Sequence, residues 1–327
     1  MTFPRSPVCV IFEGKANGFE LGRGSAVLSI PEIDFEPFLN GDEDSRRAVA
    51  AEINRACRTF GFMNVKNLPI SKSLIDQVFS QAAEFFALPS ETKDRIGRSD
   101  RDAISGYIGI KGEHLDPQNP GDLKEGFSVN RASLPLLASW AIPLPEFRNT
   151  LLDLYEAGAS TSAMLMQAVA LSVGMPEDCF ADKHDHHSST VRLFHYPPVE
   201  ATHTPGQQRA GTHTDYGSVT LVFQGARGLE ALVDGQWLAV PYVPGAVTVN
   251  VADLLSRWTN GTFRSPEHRV ALPQGSGQSR FSVVFFYNPN SDATIACLDS
   301  CRQPDGSNYP PVTAGEFLRQ RREASYQ

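Results

Sequence analysis

Two periodicities divide the chain. Apolar residues recur at helical spacing in two early stretches. The first carries Val49, Ile53, Ala56, Cys57 and Phe60 behind a cap at Asp44 or Ser45, and the second carries Leu74, Val78, Ala82 and Phe85 ahead of Pro89. Residues 29–35 and 61–65 alternate enough to be short strands, with a turn at Asn67-Leu-Pro69. Residues 98–145 read as loop broken by two apolar islands, 107–110 and 125–129. A long helix is expected over about 146–175, its Met164, Leu165, Met166, Val169 and Leu171 being core filling. After Ser188 the period drops to two. Strands are expected over 190–196, 217–223, 229–233, 237–240, 246–251, 268–272 and 280–287, with Asp234-Gly235 as a hairpin turn. Thr313-Ala-Gly-Glu316 has the capping-box pattern and opens a last helix.

This texture predicts a helical N-terminal part followed by an all-β sandwich or barrel. The parts are an arm (1–28), a helix and strand region (29–145), a long helix with the β core (146–300), and a C-terminal loop and helix (301–327). The chain has 327 residues, which as a bare length suggests about two domains. The chemistry below falls inside the β core, so one elaborated domain is the better reading.

Composition removes several classes of function. Net charge is −8 and no basic cluster offers a phosphate-binding field, so nucleic acid is not an expected partner. The densest basic stretch, 319–322, reads as a solvated helix face. Five scattered cysteines without a C-x-x-C pattern fit neither a disulfide framework nor a zinc finger. No uncharged apolar run approaches a membrane span, and the run 8–12 is too short for a secretion signal. A cytoplasmic protein without membrane attachment is expected; the sequence leaves its oligomeric state open.

Histidine carries the chemistry. His114-Leu-Asp116 and the cluster Lys183-His-Asp-His-His187 lie in polar loops and read as solvated. His213-Thr-Asp215 precedes a strand; on extended backbone its two ligand-type side chains share one face. His268 could add a third ligand, and two histidines with one carboxylate form the facial triad of non-haem Fe(II) oxygenases. Twelve residues on, Arg280-Phe-Ser282 pairs a guanidinium and a hydroxyl on one strand face, a fork for a carboxylate.

The series His213-Thr-Asp215-Tyr-Gly-Ser, His268-Arg-Val, Arg280-Phe-Ser282 and Asn288-Pro-Asn290 resembles the isopenicillin N synthase-like 2-oxoglutarate/Fe(II)-dependent oxygenases. Asp122-Leu-Lys-Glu125, Arg192-Leu-Phe-His-Tyr-Pro-Pro198 and the region from Ile30 to Val65 are similar to that family too. Microbial thymine 7-hydroxylase-like members are nearest in look. The resemblance implies a double-stranded β-helix (jelly-roll) core with flanking helices. It implies that His213, Asp215 and His268 bind Fe(II), and that Arg280 and Ser282 hold the distal carboxylate of 2-oxoglutarate. Tyr196, at the family's Tyr-Tyr-Pro element, would hydrogen-bond that co-substrate; His195 and Phe194 depart from the element around it. With O2, such an enzyme oxidises a small molecule, hydroxylation being the default, and releases succinate and CO2. Family geometry suggests Tyr107, Glu125, Phe127, Arg192 and Phe285 as substrate contacts, with a substrate carboxylate as partner for Arg192. Three alternatives stay open: an isopenicillin N synthase-type oxidase that does not use 2-oxoglutarate, a zinc hydrolase on the same ligands, and a non-enzymatic binding module.

Overall fold

In a computed structural model, residues 29–325 are described apart from 98–104, 117, 187, 200–203 and 274–277; the expected arm over 1–28 lies outside them. The first elements are β1 (Glu32–Asp34), α1 (Glu36–Asn40), α2 (Glu43–Thr59), β2 (Phe62–Lys66), α3 (Lys72–Phe86) and α4 (Ser90–Asp94). Asp42 caps α2, its carboxylate accepting the Ser45 N–H at 2.9 Å, so the cap stands two or three residues before the expected Asp44 or Ser45. Glu43 and Asp44 instead occupy the first turn, where they favour the helix dipole. Pro89 ends α3 as expected but also opens α4.

Next come β3 (Gly106–Ile108), β4 (Glu125–Asn130), α5 (Phe147–Ser172), β5 (Thr190–Tyr196), β6 (Ala210–His213), β7 (Val219–Gln224), β8 (Leu229–Val233) and β9 (Gln236–Ala239). The chain closes with β10 (Val247–Val251), α6 (Asp253–Trp258), β11 (His268–Val270), β12 (Arg280–Tyr287), β13 (Thr294–Ile295), β14 (Val312–Thr313) and α7 (Ala314–Ser325). The two apolar islands of the expected loop are therefore strands β3 and β4. Asp234 and Gly235, with φ of 49° and 78°, make the tight β8–β9 turn that matches strand twist.

The large sheet runs β1-β2-β10-β7-β12-β5-β4-β3, and a smaller sheet runs β6-β11-β8-β9. Strands from the N-terminal region thus extend the same sheet as β5, β7, β10 and β12, which amends the expected helical front half. Strands β2, β5, β7 and β12 of the large sheet split their side chains between two cores. On one face, Phe127, Leu193, Leu221, Val249, Val283 and Phe285 meet the helical layer, including Val78 and Phe85 of α3 and Leu154 and Leu165 of α5. On the other, Phe194, Val222 and Val284 meet Leu229, Ala231 and Val270 of the small sheet. Full burial of each large apolar side chain contributes about 1.5–3 kcal/mol, so both layers are firmly clamped. The two facing sheets form the jelly-roll core of a mainly β protein with flanking helices. Among the described residues no helix is long and apolar enough to cross a membrane.

Candidate active site

Strand parity decides what faces the space between the sheets. From β5 it receives Thr190, Arg192, Phe194 and Tyr196; from β12, Arg280, Ser282, Val284 and Phe286; from β7, Thr220 and Val222. Register locks these rows together, with Arg280 opposite Tyr196 and Val284 opposite Arg192. The result is a cavity of about 320 Å³, closed on another side by Leu318 of α7.

At its floor, His213 ends β6 and His268 begins β11, and the two are paired across the small sheet. Their ring centroids are 4.3 Å apart. Asp215 lies beyond the strand, so the expected extended His-x-Asp geometry holds only as far as His213. The loop is folded back instead: Asp215 O accepts the Asp253 N–H at 2.8 Å. Gly217 makes that path passable, since a Cβ there would lie 2.3 Å from Asn288 Oδ1. Ligand atoms of His213, Asp215 and His268 lie within 4.8 Å of one another, the one such group among the described residues.

Hydrogen bonds orient these side chains. His213 Nδ1 donates to Gly211 O at 2.8 Å and His268 Nδ1 to Pro266 O at 3.2 Å. A carbonyl only accepts, so Nδ1 is the donor in each ring and Nε2 is the nitrogen turned toward the cluster. Asp215 Oδ1 lies 4.0 Å from His213 Nε2 and 3.7 Å from His268 Nε2, while its Oδ2 accepts from Asn250 Nδ2 at 2.7 Å. Burial, then the neighbouring His268, push the His213 imidazole down to about 3. Burial opposes ionisation of Asp215, but His268, His213 and Asn250 outweigh it and hold the carboxyl below its usual range. A neutral imidazole and an anionic carboxylate at neutral pH are in the states a divalent metal requires. A compact donor set of two nitrogens and one oxygen on one wall suits a facial-triad metal.

Arg280 is only 2% exposed. Its Nε donates to Ala226 O at 3.2 Å, and its guanidinium lies 4.8 Å from the Tyr196 ring centroid. Its Nη1 is buried with no hydrogen-bond partner, and no described acid pairs with it. Ser282 Oγ donates to Tyr196 Oη at 3.4 Å. A buried cation with an unspent donor beside two hydroxyls is a cradle for a carboxylate.

Elsewhere the cavity wall is charged but balanced. Arg192 Nη2 donates to Glu113 Oε1 and Oε2 at 2.9 and 3.2 Å, and its Nε to Ser128 Oγ at 2.9 Å. Lys124 Nζ bridges Glu113 at 3.1 Å and Asp122 at 2.5 Å. Burial disfavours the ammonium of Lys124, but Glu113 and Asp122 more than restore it. The anion expected for Arg192 is therefore supplied by the chain itself.

Four of the five expected substrate contacts face away from the cavity. Phe127 and Phe285 have the opposite strand parity and lie in the helix-side core, Phe285 against Tyr155 of α5. Glu125 and Tyr107 are buried behind the sheet: Glu125 accepts from Lys93 Nζ at 2.7 Å, Tyr107 Oη at 2.5 Å and His195 Nδ1 at 2.7 Å. Of the five, Arg192 lines the cavity. Phe286, Phe194, Glu113 and Lys124 line it without having been expected. Parity with Arg280 and Ser282 would have favoured Phe286 over Phe285; no periodicity marks Glu113 or Lys124.

The loop histidines divide. His114 is exposed and reaches the cavity rim. His184 is not solvated: it is buried, stacks on Tyr287 at 4.4 Å, and bonds Phe180 O and Ser218 Oγ at 2.8 and 2.9 Å. His186 is exposed, and His187 lies outside the described residues. The expected solvated face over 319–322 is also amended, because Arg321 reaches Thr214 Oγ1 at 2.7 Å.

Comparison with known proteins agrees with this arrangement. A family model described as the non-haem dioxygenase in morphine synthesis N-terminal region matches residues 30–140, and one for the 2OG-Fe(II) oxygenase superfamily matches residues 187–289. A proline hydroxylase, buaE, of Petromyces alliaceus is 32% identical over 91% of this chain and 100% of its own. A 2-oxoglutarate-dependent dioxygenase of Didymella fabae is 29% identical over 92% and 98%. The crystal structure of full-length Neurospora crassa thymine 7-hydroxylase in complex with alpha-KG and thymine superposes with a TM-score of 0.82 at 31% identity, covering 91% of this chain and 97% of that one.

Proposed function

The chain belongs to the 2OG-Fe(II) oxygenase superfamily, and on that premise we propose that it hydroxylates a small molecule in the cavity between its two sheets. It is a 2-oxoglutarate- and Fe(II)-dependent dioxygenase that acts with O2 and releases succinate and CO2. His213, Asp215 and His268 are the residues that would hold the iron. Arg280 and Ser282, with Tyr196, would hold the distal carboxylate of 2-oxoglutarate. When bound, iron and co-substrate supply an oxidant able to attack a C–H bond, which no side chain can furnish.

The observation that carries this reading is the buried Arg280 with its unspent Nη1, opening on the same cavity as the histidine–aspartate cluster. Without a distal-carboxylate site, the cluster would suit a zinc hydrolase equally well. The remaining residues position and shield. Asn250 fixes one oxygen of Asp215, leaving the other toward the histidines. Phe194, Phe286, Val284 and Leu318 form an apolar wall that keeps water from the reacting centre.

Substrate recognition falls to the balanced end of the cavity. Arg192 faces Glu113 there, so the wall offers hydrogen bonds without net charge. A small, uncharged substrate with a polar edge suits that wall; the thymine held by the Neurospora crassa enzyme is such a ligand. The test is succinate release over a panel of small candidates. Release dependent on 2-oxoglutarate, Fe(II) and one substrate is expected. Substrate turnover that is anaerobic or independent of 2-oxoglutarate would return the zinc hydrolase or the oxidase reading.

A further inference from the structure

A second buried arginine stands behind the carboxylate cradle. Arg209, 4% exposed, immediately precedes β6. Its backbone N–H donates to Val270 O at 3.1 Å. Its Nη2 donates to Pro197 O at 3.2 Å and to Gln278 O at 2.5 Å. Those carbonyls belong to the residue after Tyr196 and to the residue two before Arg280. Tyr196 and Arg280 are themselves paired across β5 and β12. One guanidinium therefore ties together the two strand ends that present the cradle.

Its electrostatics are as unusual as its position. Among the described residues no acid pairs with Arg209 or with Arg280. Arg209 Nε and Arg280 Nη1 are both buried without a hydrogen-bond partner. Burial, and then the cation of Arg280 beside it, make Arg209 hold its proton less tightly than usual. The other two cations that line the same cavity, Arg192 four residues along β5 and Lys124 beside Tyr196, each have a carboxylate. Neutralisation is thus complete for Arg192 and Lys124 and missing for Arg209 and Arg280, where the co-substrate's tail would bind. Two uncompensated buried cations cost the fold free energy until an anion arrives.

We propose that Arg209 is a positioning residue for the distal carboxylate of 2-oxoglutarate: it holds Arg280 and Tyr196 in register and adds a second positive charge that selects a dianionic 2-oxo acid over a monoanionic one. This rests on the co-substrate reading above.

The test compares 2-oxoglutarate with 2-oxopentanoate, which keeps the chelating end but has no distal carboxylate. Both are titrated into the Fe(II)-loaded protein without oxygen, and dissociation constants are read from the charge-transfer absorbance. In Arg209→Gln, which keeps a donor but loses the charge, the constant for 2-oxoglutarate should rise about tenfold, as expected for losing a charge-assisted interaction. That for 2-oxopentanoate should move less than about twofold. An unchanged 2-oxoglutarate constant, or equal weakening of both ligands, overturns the proposal. Should Arg209→Gln fail to fold, Arg209→Lys decides. A preference for 2-oxoglutarate retained with the charge supports the proposal, and a collapsed preference overturns it. Absence of any 2-oxoglutarate signal in the parent protein would instead overturn the co-substrate reading and this inference with it.

Discussion

Buried charges are where single residues matter most in this protein. Arg280 has spent one donor on a carbonyl and kept another in reserve, so its role is electrostatic before it is structural. Arg280→Ala should raise the 2-oxoglutarate requirement by about 10- to 100-fold, the range for losing a hydrogen bond to a charged group. The half-saturating 2-oxoglutarate concentration for succinate release checks it. His213→Ala removes an imidazole that is already neutral, aimed at Asp215 and proposed to hold the iron. Turnover should vanish and bound iron, measured by elemental analysis, should fall. His184 gives a different kind of prediction. Burial lowers its pKa from 6.5 to about 4, so the folded state excludes a proton that the unfolded state binds between those values. Its contribution to stability is present above pH 6.5 and is lost as pH falls toward 4, about 3 kcal/mol in all. His184→Phe should make the thermal midpoint less dependent on pH between 7 and 5, whatever it does to the midpoint at pH 7.

At the scale of elements, the helical layer acts through contact with the strands it covers. Gly158 of α5 packs on Phe285 of β12 so closely that a Cβ would lie 2.7 Å from the ring. Gly158→Val should therefore lower stability by about 1–3 kcal/mol through overpacking, seen as a lower denaturant midpoint with an unchanged slope. The helix α7 covers the opposite side. Leu318 lines the cavity, while Arg321 bonds Thr214, pairs with Asp253 at 3.2 Å and lies 4.7 Å from the Tyr216 ring. Thr214 stands between His213 and Asp215, so this helix braces the loop as well as the wall. Deleting 314–327 should raise succinate formed per substrate molecule oxidised, because the cavity then admits water.

The same scale explains what the sequence could reveal. Period-two alternation placed β5, β8 and β12 at their observed bounds, because these strands separate two differently lined faces. It missed β3 and β4 because Glu125 and Ser128 occupy buried positions satisfied by distant partners, which hydropathy cannot register. Phe285 lies in the helix-side core because its parity opposes that of Arg280 and Ser282. The order of motifs was enough to nominate His213, Asp215 and His268 as one group. That Asp215 reaches them from a folded-back loop depends on Gly217, which the motif contains, and on Asp253, which no motif marks.

Across the whole molecule, charge is arranged along one axis of the cavity. The end proposed for the co-substrate holds the uncompensated Arg209 and Arg280, the floor a neutral histidine beside an aspartate, and the far end Arg192 paired with Glu113. That gradient directs a dianion to one end and leaves the other for a substrate without net charge. On this arrangement one cavity would bind iron and 2-oxoglutarate together. An anaerobic absorbance titration tests it most directly, adding Fe(II) and then 2-oxoglutarate to the parent protein, to His268→Ala and to Arg280→Ala. A charge-transfer band in the parent that needs both additions, is lost in His268→Ala and needs much more 2-oxoglutarate in Arg280→Ala is the predicted result. No band in the parent, or an equal band in all three proteins, would contradict it.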